Sequence, residues 1–368
     1  MVETGGWGGI AHYAWSLCAA LADAGAAVSL LTNAAWELDH LPRPFDVAKC
    51  FAGDAGYIGN VRALRDGVAS LKPDVVHVQS LISTRLDALL WPIVRRRVPM
   101  VMTIHNVQSH ERIRWDDWTL WRCLATADAV VVHTQEALDV ARRRLGPLAR
   151  IELIRMGDWG VFRGTEAGDR REARARLGFP DAAPIVLAFG AIRPYKGLDG
   201  VIAALPAVRR RHPGARLVIA GPLLAGSESE YREAIRRASV EDAVIFRPGY
   251  VPGDEVHRYF AAADIAVFNY TGITDSGSLR LACRMETPVV ATAVGCFSEF
   301  LTDRVTARLV PAGDPAALAA ALGDVLDDSA GAARMARAAA ALARSAWSWA
   351  DSARATLALY GAVARGAR

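Results

Sequence analysis

The sequence predicts an α/β protein of two doubly wound domains, each with a mostly parallel sheet covered by helices. Three observations carry this. The chain has 368 residues, and at roughly 100–200 residues per domain that length favours two. Its strand candidates are unbroken β-branched runs, the pattern of parallel strands covered on both faces. Helical stretches separate those runs along the chain, and alternating β and α imply right-handed crossovers in a parallel sheet.

Residues 9–24 read as a helix, because Ile10, Tyr13, Leu17 and Leu21 recur at spacings of three and four and line one face. Gly25 is its stop, since glycine takes the left-handed cap without steric cost. Strands are expected at 28–32, 74–78, 99–104, 129–133 and 151–155. Residues 160–183 are charged, carry Gly and Pro, and read as the inter-domain linker. A second series follows, with strands at 185–189, 216–220, 244–247, 265–268 and 289–291 and helices at 200–211, 230–238 and 254–262. Ala-rich helices at 316–327 and 331–343 close it. The expected domains are therefore 1–165 and 180–345, with a terminal helix over 346–368. A doubly wound domain normally opens on a strand. Here the Gly-rich segment starts at Gly5, so the first strand is expected to be missing or very short, as in a truncated start.

Composition narrows the function. With 52% hydrophobic and 22% charged residues the chain is globular, not disordered. A net charge of +4 lacks the clustered basic character of a nucleic-acid binder, so no nucleic-acid partner is expected. Arginine runs at 95–97 and 142–144 read as solvated helix ends, or as a face for anionic lipid or a phosphorylated acceptor. Cys18, Cys50, Cys123, Cys283 and Cys296 are odd in number and lack C-x-x-C spacing, so free buried thiols and no metal site are expected. No signal-peptide pattern opens the chain. No apolar run reaches the ~18–20 residues of a spanning helix. A cytoplasmic protein is expected, with any membrane contact peripheral, at the inner face of the plasma membrane.

Four segments carry candidate chemistry. GGWGGIAHY (5–13) leads into a helix, where glycines permit close backbone approach and free amides suit an anion; a plain flexible N-terminus is the alternative. VMTIHN places His105 at a strand's carboxyl end, where open α/β sheets bind ligands; it contacts a sugar hydroxyl or phosphate, or satisfies a loop carbonyl. His77 reads as structural, and His12 ranks below His105. FGAIRPYKGLDG (189–200) puts Arg193 and Lys196 ahead of a helix, a diphosphate clamp or an ordinary surface loop. In FNYTGITDSGSLRLACRMETPVVAT (268–292), Ser276, Gly277 and Ser278 open a helix whose amides and hydroxyls suit phosphate; the bland alternative is a Ser N-cap. Loops at the carboxyl ends of two facing sheets converge on one cleft, a usual ligand site. Trp115, Trp118 and Trp121 lie three apart, so on a helix they share a face, as core or as an aromatic edge for lipid or sugar.

These residues resemble glycosyltransferase family 4, retaining enzymes of the GT-B fold, over nearly the whole chain. The matching segments are GGIAHYAWSLCAALADAGAAVSLLT, IRPYKGLDGVIAAL, YVPGDEVHRYFAAADIAVFNY, LVPAGDPAALAAAL and SAWSWADSARATLALY. The resemblance implies two facing Rossmann-like domains and a C-terminal helix that crosses back to the first. It implies transfer of a sugar from a nucleotide-diphosphate donor to an unknown acceptor, a glycan, lipid-linked or small molecule, without metal or cofactor. Gly8 and Gly9 would approach the donor phosphate, and His105 the transferred sugar. Arg193 and Lys196 would pair with the diphosphate, and Ser276, Gly277 and Ser278 would complete the cradle. Two departures stand out. The family's paired Glu positions are Ile273 and Leu281 here, with Asp275 and Glu286 nearby; Ala191 stands where many members carry an Arg, and Arg193 follows two positions on. The absent Glu pair and the missing first strand motivate the alternative of a non-catalytic nucleotide-binding partner subunit. A nicotinamide-dependent oxidoreductase ranks lower, because no G-x-G-x-x-G follows a strand with an acidic residue about twenty positions on.

Overall fold

A computed structural model describes residues 1–83, 85–87, 98–106, 114–159 and 169–366, with backbone alone at 114–117. The chain forms two compact units, Met1–Gly157 with Ala346–Arg368, and Asp158–Ser345.

The first unit is built on parallel strands β1 (Ser29–Asn33), β2 (Asp46–Phe51), β3 (Val76–Val78), β4 (Met100–Thr103), β5 (Ala129–Val132) and β6 (Ile151–Leu153). β1 pairs with β2, and β3 to β6 pair in sequence order. Met1–Glu3 joins the two sets. Val2 bridges Leu31 on one side and Val78 on the other, both in parallel. The Val2 amide donates to His77 O at 2.8 Å and the Gln79 amide to Val2 O at 2.8 Å, while Leu31 N donates to Met1 O at 2.9 Å. Met1–Glu3 thus stands as the first strand, between β1 and β3 in the middle of the sheet. Its three residues form it because both flanking strands offer backbone partners to a buried segment that must satisfy its own. The Met1 ammonium donates to Ser29 O at 2.8 Å, and burial lowers its pKa. Beside it, a cavity of about 560 Å³ opens among the amino ends of β1 and β3 and the C-terminal helix.

β4 and β5 are buried throughout, as expected for strands covered on both faces. The helix Gly8–Asp23 buries Tyr13, Leu17 and Leu21, and Gly25 follows at φ +90°. The helix Trp349–Gly366 belongs to this unit: Leu359 and Val363 pack with Val101, Val131 and Ile154. Its Tyr360 hydroxyl lies 2.7 Å from His77 Nδ1, and Thr103 Oγ1 lies 2.7 Å from the other ring nitrogen. His77 is therefore a structural residue with both nitrogens engaged inside the sheet. β2 escaped the sequence reading because its DVAKCF run is mostly solvent-facing and lacks an apolar signature.

The second unit has one parallel sheet in the order β12-β11-β10-β7-β8-β9. Its strands are β7 (Ile185–Phe189), β8 (Arg216–Ala220), β9 (Val244–Arg247), β10 (Ile265–Phe268), β11 (Val289–Thr292) and β12 (Arg308–Val310). Helices Leu198–Arg211 and Pro315–Asp327 pack on it through Val201, Leu205, Val208, Leu318 and Leu322. The expected linker proves to be partly structured within this unit. Residues Arg170–Leu177 form a helix capped by Asp169, and its Arg174 is buried against Asp264, at 2.9 Å, and Ala262 O, at 3.0 Å. The unit accordingly begins at Asp158, not 180. Residues 95–97 and 160–168 lie outside the described residues, as does the Trp115 side chain. Among the described residues no helix is long and apolar enough to cross a membrane. Cys18, Cys123, Cys283 and Cys296 are buried and Cys50 is half-buried, and none of the five is in a disulfide.

Candidate active site

In the second unit, the strand order reverses between β7 and β10, and in such sheets ligands bind beyond the carboxyl ends at that point. The segments after these two strands are Gly190–Gly197 and Asn269–Ser276. They are tied together: Asn269 Nδ2 donates to Gly197 O at 2.8 Å, and Thr271 N donates to Tyr195 O at 2.8 Å. Gly197 must be glycine, since it has φ +61° and a Cβ there would lie 2.1 Å from Asn269 O.

Gly190 is the centre of this arrangement. It sits at φ +104°, and a Cβ would lie 2.7 Å from Ser278 Oγ and 3.1 Å from Lys196 Nζ. The structure therefore brings Lys196 and Ser278 to one glycine. Lys196 closes a short 3₁₀ turn, Pro194–Lys196, and is buried, with Nζ 5.2 Å from the Tyr270 ring centroid. Desolvation, helped by the neighbouring Arg193 charge, pushes its pKa from 10.5 down to about 7. Arg193 itself is half-buried, three residues before Lys196.

Ser276 caps the helix Gly277–Arg284, its hydroxyl accepting from Leu279 N at 3.2 Å. That is the local role a Ser N-cap has without a ligand. The amides of Gly277 and Ser278 lie in the first turn, where no helix carbonyl reaches them. Gly277 leaves space for the Trp159 indole, which a Cβ would approach to 2.3 Å. Ile273 and Leu281 are buried apolar residues. Asp275 is committed to Arg280, at 2.9 Å, with both side chains buried. Glu286 lies in the turn before β11, at φ +51°, with its carboxylate 3.8 Å from Arg344. It is at the amino end of its strand, whereas the converging turns lie at carboxyl ends. Neither acidic residue is placed to stand in for the absent pair.

In the first unit, His105 lies just past β4. Its Nε2 is 3.1 Å from Gln79 Oε1, and the Tyr13 ring meets it edge-on at 4.7 Å. Burial, with His133 and His77 nearby, holds its pKa well below the ordinary value, so the imidazole is neutral. With the Gln79 carbonyl as acceptor, Nε2 carries the proton. The Gly-rich segment is shaped by two carboxylates that the sequence reading missed. Buried Glu3 accepts from Gly5 N at 2.8 Å, Gly6 N at 2.9 Å and Thr32 Oγ1 at 3.0 Å. Glu37 accepts from Gly8 N at 2.7 Å and lies 3.0 Å from His12 Nε2. The amide of Gly8 is thus engaged within the protein, while Gly9 is exposed. No local pattern marks Glu3 or Glu37, since each acquires its role from chain segments that meet it only on folding.

Two doubly wound units, with a cation and glycine turns gathered at a switch point, match the GT-B class of glycosyltransferase. Sequence profiles agree: Glycosyltransferase Family 4 matches residues 7–157, and Glycosyl transferases group 1 matches residues 169–342. Glycogen synthase of Mycobacterium tuberculosis is 32% identical over 311 residues, covering 81% of this chain and 71% of its own. D-inositol 3-phosphate glycosyltransferase of Salinispora tropica is 34% identical over 253 residues, 65% of this chain and 52% of its own. HepE of Anabaena, solved with UDP-glucose, shares the fold at a TM-score of 0.81 and 19% identity, covering 98% of both chains. Sucrose-phosphate synthase of Thermosynechococcus elongatus does so at 0.78 and 22%, covering 99% of this chain and 96% of that one. The chain belongs to glycosyltransferase family 4, and it is a transferase rather than an oxidoreductase.

Proposed function

We propose that the chain transfers a sugar, with retained configuration, from a nucleotide-diphosphate donor to a hydroxyl acceptor. The observation that carries this is the convergence of Lys196 Nζ and Ser278 Oγ on Gly190 at the switch point. A buried cation with a depressed pKa is a site that gains most when a polyanion arrives. In the reaction the bond from the sugar's anomeric carbon to the diphosphate oxygen breaks and its electron pair stays on the leaving phosphate, while the acceptor's hydroxyl oxygen bonds to that carbon and its proton passes to the leaving phosphate. Lys196, Arg193 and the amides of Gly277 and Ser278 stabilise that charge without a metal. Such stabilisation is often the largest catalytic contribution. His105, neutral and with its Nε2 proton held by Gln79, presents Nδ1 to the transferred sugar as a hydrogen-bond acceptor. Gly9 offers the close backbone approach, and Gly8, at φ +73°, opens the helix in a left-handed conformation.

The complexes of HepE with UDP-glucose and with UDP support UDP as the first nucleotide to try. The decisive experiment measures donor hydrolysis and nucleotide binding side by side for the unaltered chain and Lys196→Ala. A ~10²–10³-fold loss of rate in a folded variant is the expected result. Near-normal turnover by Lys196→Ala would sink the proposal. A second reading, a nucleotide-binding partner without catalysis, is favoured by the apolar Ile273 and Leu281. Binding without any Lys196-dependent hydrolysis would establish it. For the acceptor side, exposed Trp118 lies under Arg122, and Arg142, Arg143 and Arg144 are exposed nearby. They suit peripheral contact with an anionic membrane on the cytoplasmic side. Unchanged liposome co-sedimentation after replacing Trp118 and the three arginines would remove that reading.

A further inference from the structure

The buried pair Asp275–Arg280 lies at the lip of the Ser276–Ser278 turn, and no step above uses it. Arg280 is fully buried, and its Nη2 lies 3.0 Å from Asp275 Oδ1 and 2.9 Å from Oδ2. Its Nε is 3.3 Å from Oδ1. Its guanidinium also lies 5.1 Å from the Phe300 ring centroid, on the helix Gly295–Phe300. On the same side, Cys296 N donates to Ile273 O at 3.3 Å. The turn after β10 is thereby fastened to the helix after β11.

A buried ion pair adds little to stability compared with apolar side chains of the same volume. What this pair does is local. Asp275 Oδ1 also accepts the Ser276 amide at 2.7 Å. With the Ser276 hydroxyl on Leu279 N, two polar groups of the turn are consumed internally. Among the described residues the amides of Gly277 and Ser278 are left, beside the Ser278 hydroxyl that meets Gly190 and Lys196. We propose that Asp275 and Arg280 are positioning residues that select which amides of this turn face a bound diphosphate. The inference rests on the donor-binding reading above. It assigns to a side-chain pair what a bare helix terminus does not provide, a fixed orientation of the two amides relative to Lys196.

The test uses the full chain, with titration calorimetry against UDP, GDP and ADP and a thermal melt for each variant. Asp275→Leu combined with Arg280→Met removes both charges together. This double variant is expected to melt within a few degrees of the unaltered chain, yet to bind the preferred nucleoside diphosphate at least tenfold more weakly. Arg280→Lys, which keeps the charge but not the two-pronged grip, is expected to fall between. A folded double variant that binds within twofold of the unaltered chain overturns the inference. If the double variant does not fold, Arg280→Lys decides, and unaltered affinity in it is the refuting result. Binding lost in Lys196→Ala but kept in these variants sinks this inference alone. An unaltered chain that binds none of the three nucleotides overturns the donor reading and this inference with it.

Discussion

Lys196→Met offers a sharp test, because the same side chain should cost stability and supply binding. Burial and the Arg193 charge lower the Lys196 pKa from 10.5 to about 7. At 1.36 kcal/mol per unit, that shift sets a ceiling of about 5 kcal/mol on the cost of keeping the ammonium charged in the folded chain. Below pH 7 both folded and unfolded chains hold the proton, so the whole cost is carried there. Between about pH 7 and the unfolded value near 10.4 the unfolded chain binds the extra proton, so stability rises with pH. Above that the cost is gone. Methionine keeps most of the volume without the charge. Lys196→Met is therefore expected to be more stable than the unaltered chain by at least ~1 kcal/mol at pH 6.5, a rise of roughly 2–4 °C in melting temperature. The gain should shrink toward pH 10, while nucleoside-diphosphate binding is lost at every pH. Melts from pH 6 to 10 with calorimetry at pH 8 measure both. A variant that is less stable at pH 6.5 and binds nucleotide normally would refute the argument. In the unaltered chain, binding a nucleotide sugar at pH 8 should take up as much as one proton, seen as an enthalpy that varies with the buffer's ionisation heat.

Gly190→Ala places a methyl 2.7 Å from Ser278 Oγ at a φ of +104°; strain of ~1–3 kcal/mol and a displaced Ser278 should abolish nucleotide binding, measured by calorimetry on protein that still shows native circular dichroism. Asp264 holds Arg174 and the Ile185 amide at 2.9 and 2.7 Å. Asp264→Ala leaves the buried Arg174 guanidinium with carbonyl partners alone, Ala262 O and Asp181 O, and should cost about 3 kcal/mol in denaturant unfolding, the lower end for breaking a buried pair; a loss under ~1 kcal/mol would contradict that account. His105→Ala should lower kcat/KM about tenfold, the scale of one lost hydrogen bond. Because His105 is neutral in the folded chain, the factor separating His105→Ala from the unaltered chain should stay the same from pH 6 to 9, even as Lys196 titrates in both; a factor that changes with a midpoint near 6.5 would show a charged imidazole at work.

The alternation of β-branched runs with helices made the doubly wound plan legible. So did the coincidence of His105, Lys196 and Ser278 with strand ends or helix starts. Those are local signals: side-chain branching, glycine at positive φ and hydroxyls at helix starts act within a few residues. β2 and β12 were missed because edge strands need no continuous apolar run. The helix Arg170–Leu177 was read as linker because most of its surface is charged, and its anchor Arg174 is indistinguishable in sequence from its exposed neighbours.

The sequence by itself determined the fold class and which segments follow strand ends or open helices, since periodicity and turn chemistry are properties of neighbouring residues. The tertiary structure decided that three residues, Met1–Glu3, complete the middle of a sheet, because their hydrogen-bond partners come from Leu31, His77 and Gln79. It decided that Glu3 and Glu37 shape the Gly-rich segment. It also settled that Asp275 faces Arg280 and that Lys196 is desolvated. Burial and pairing depend on what distant parts of the chain bring to a residue, and no local pattern records that.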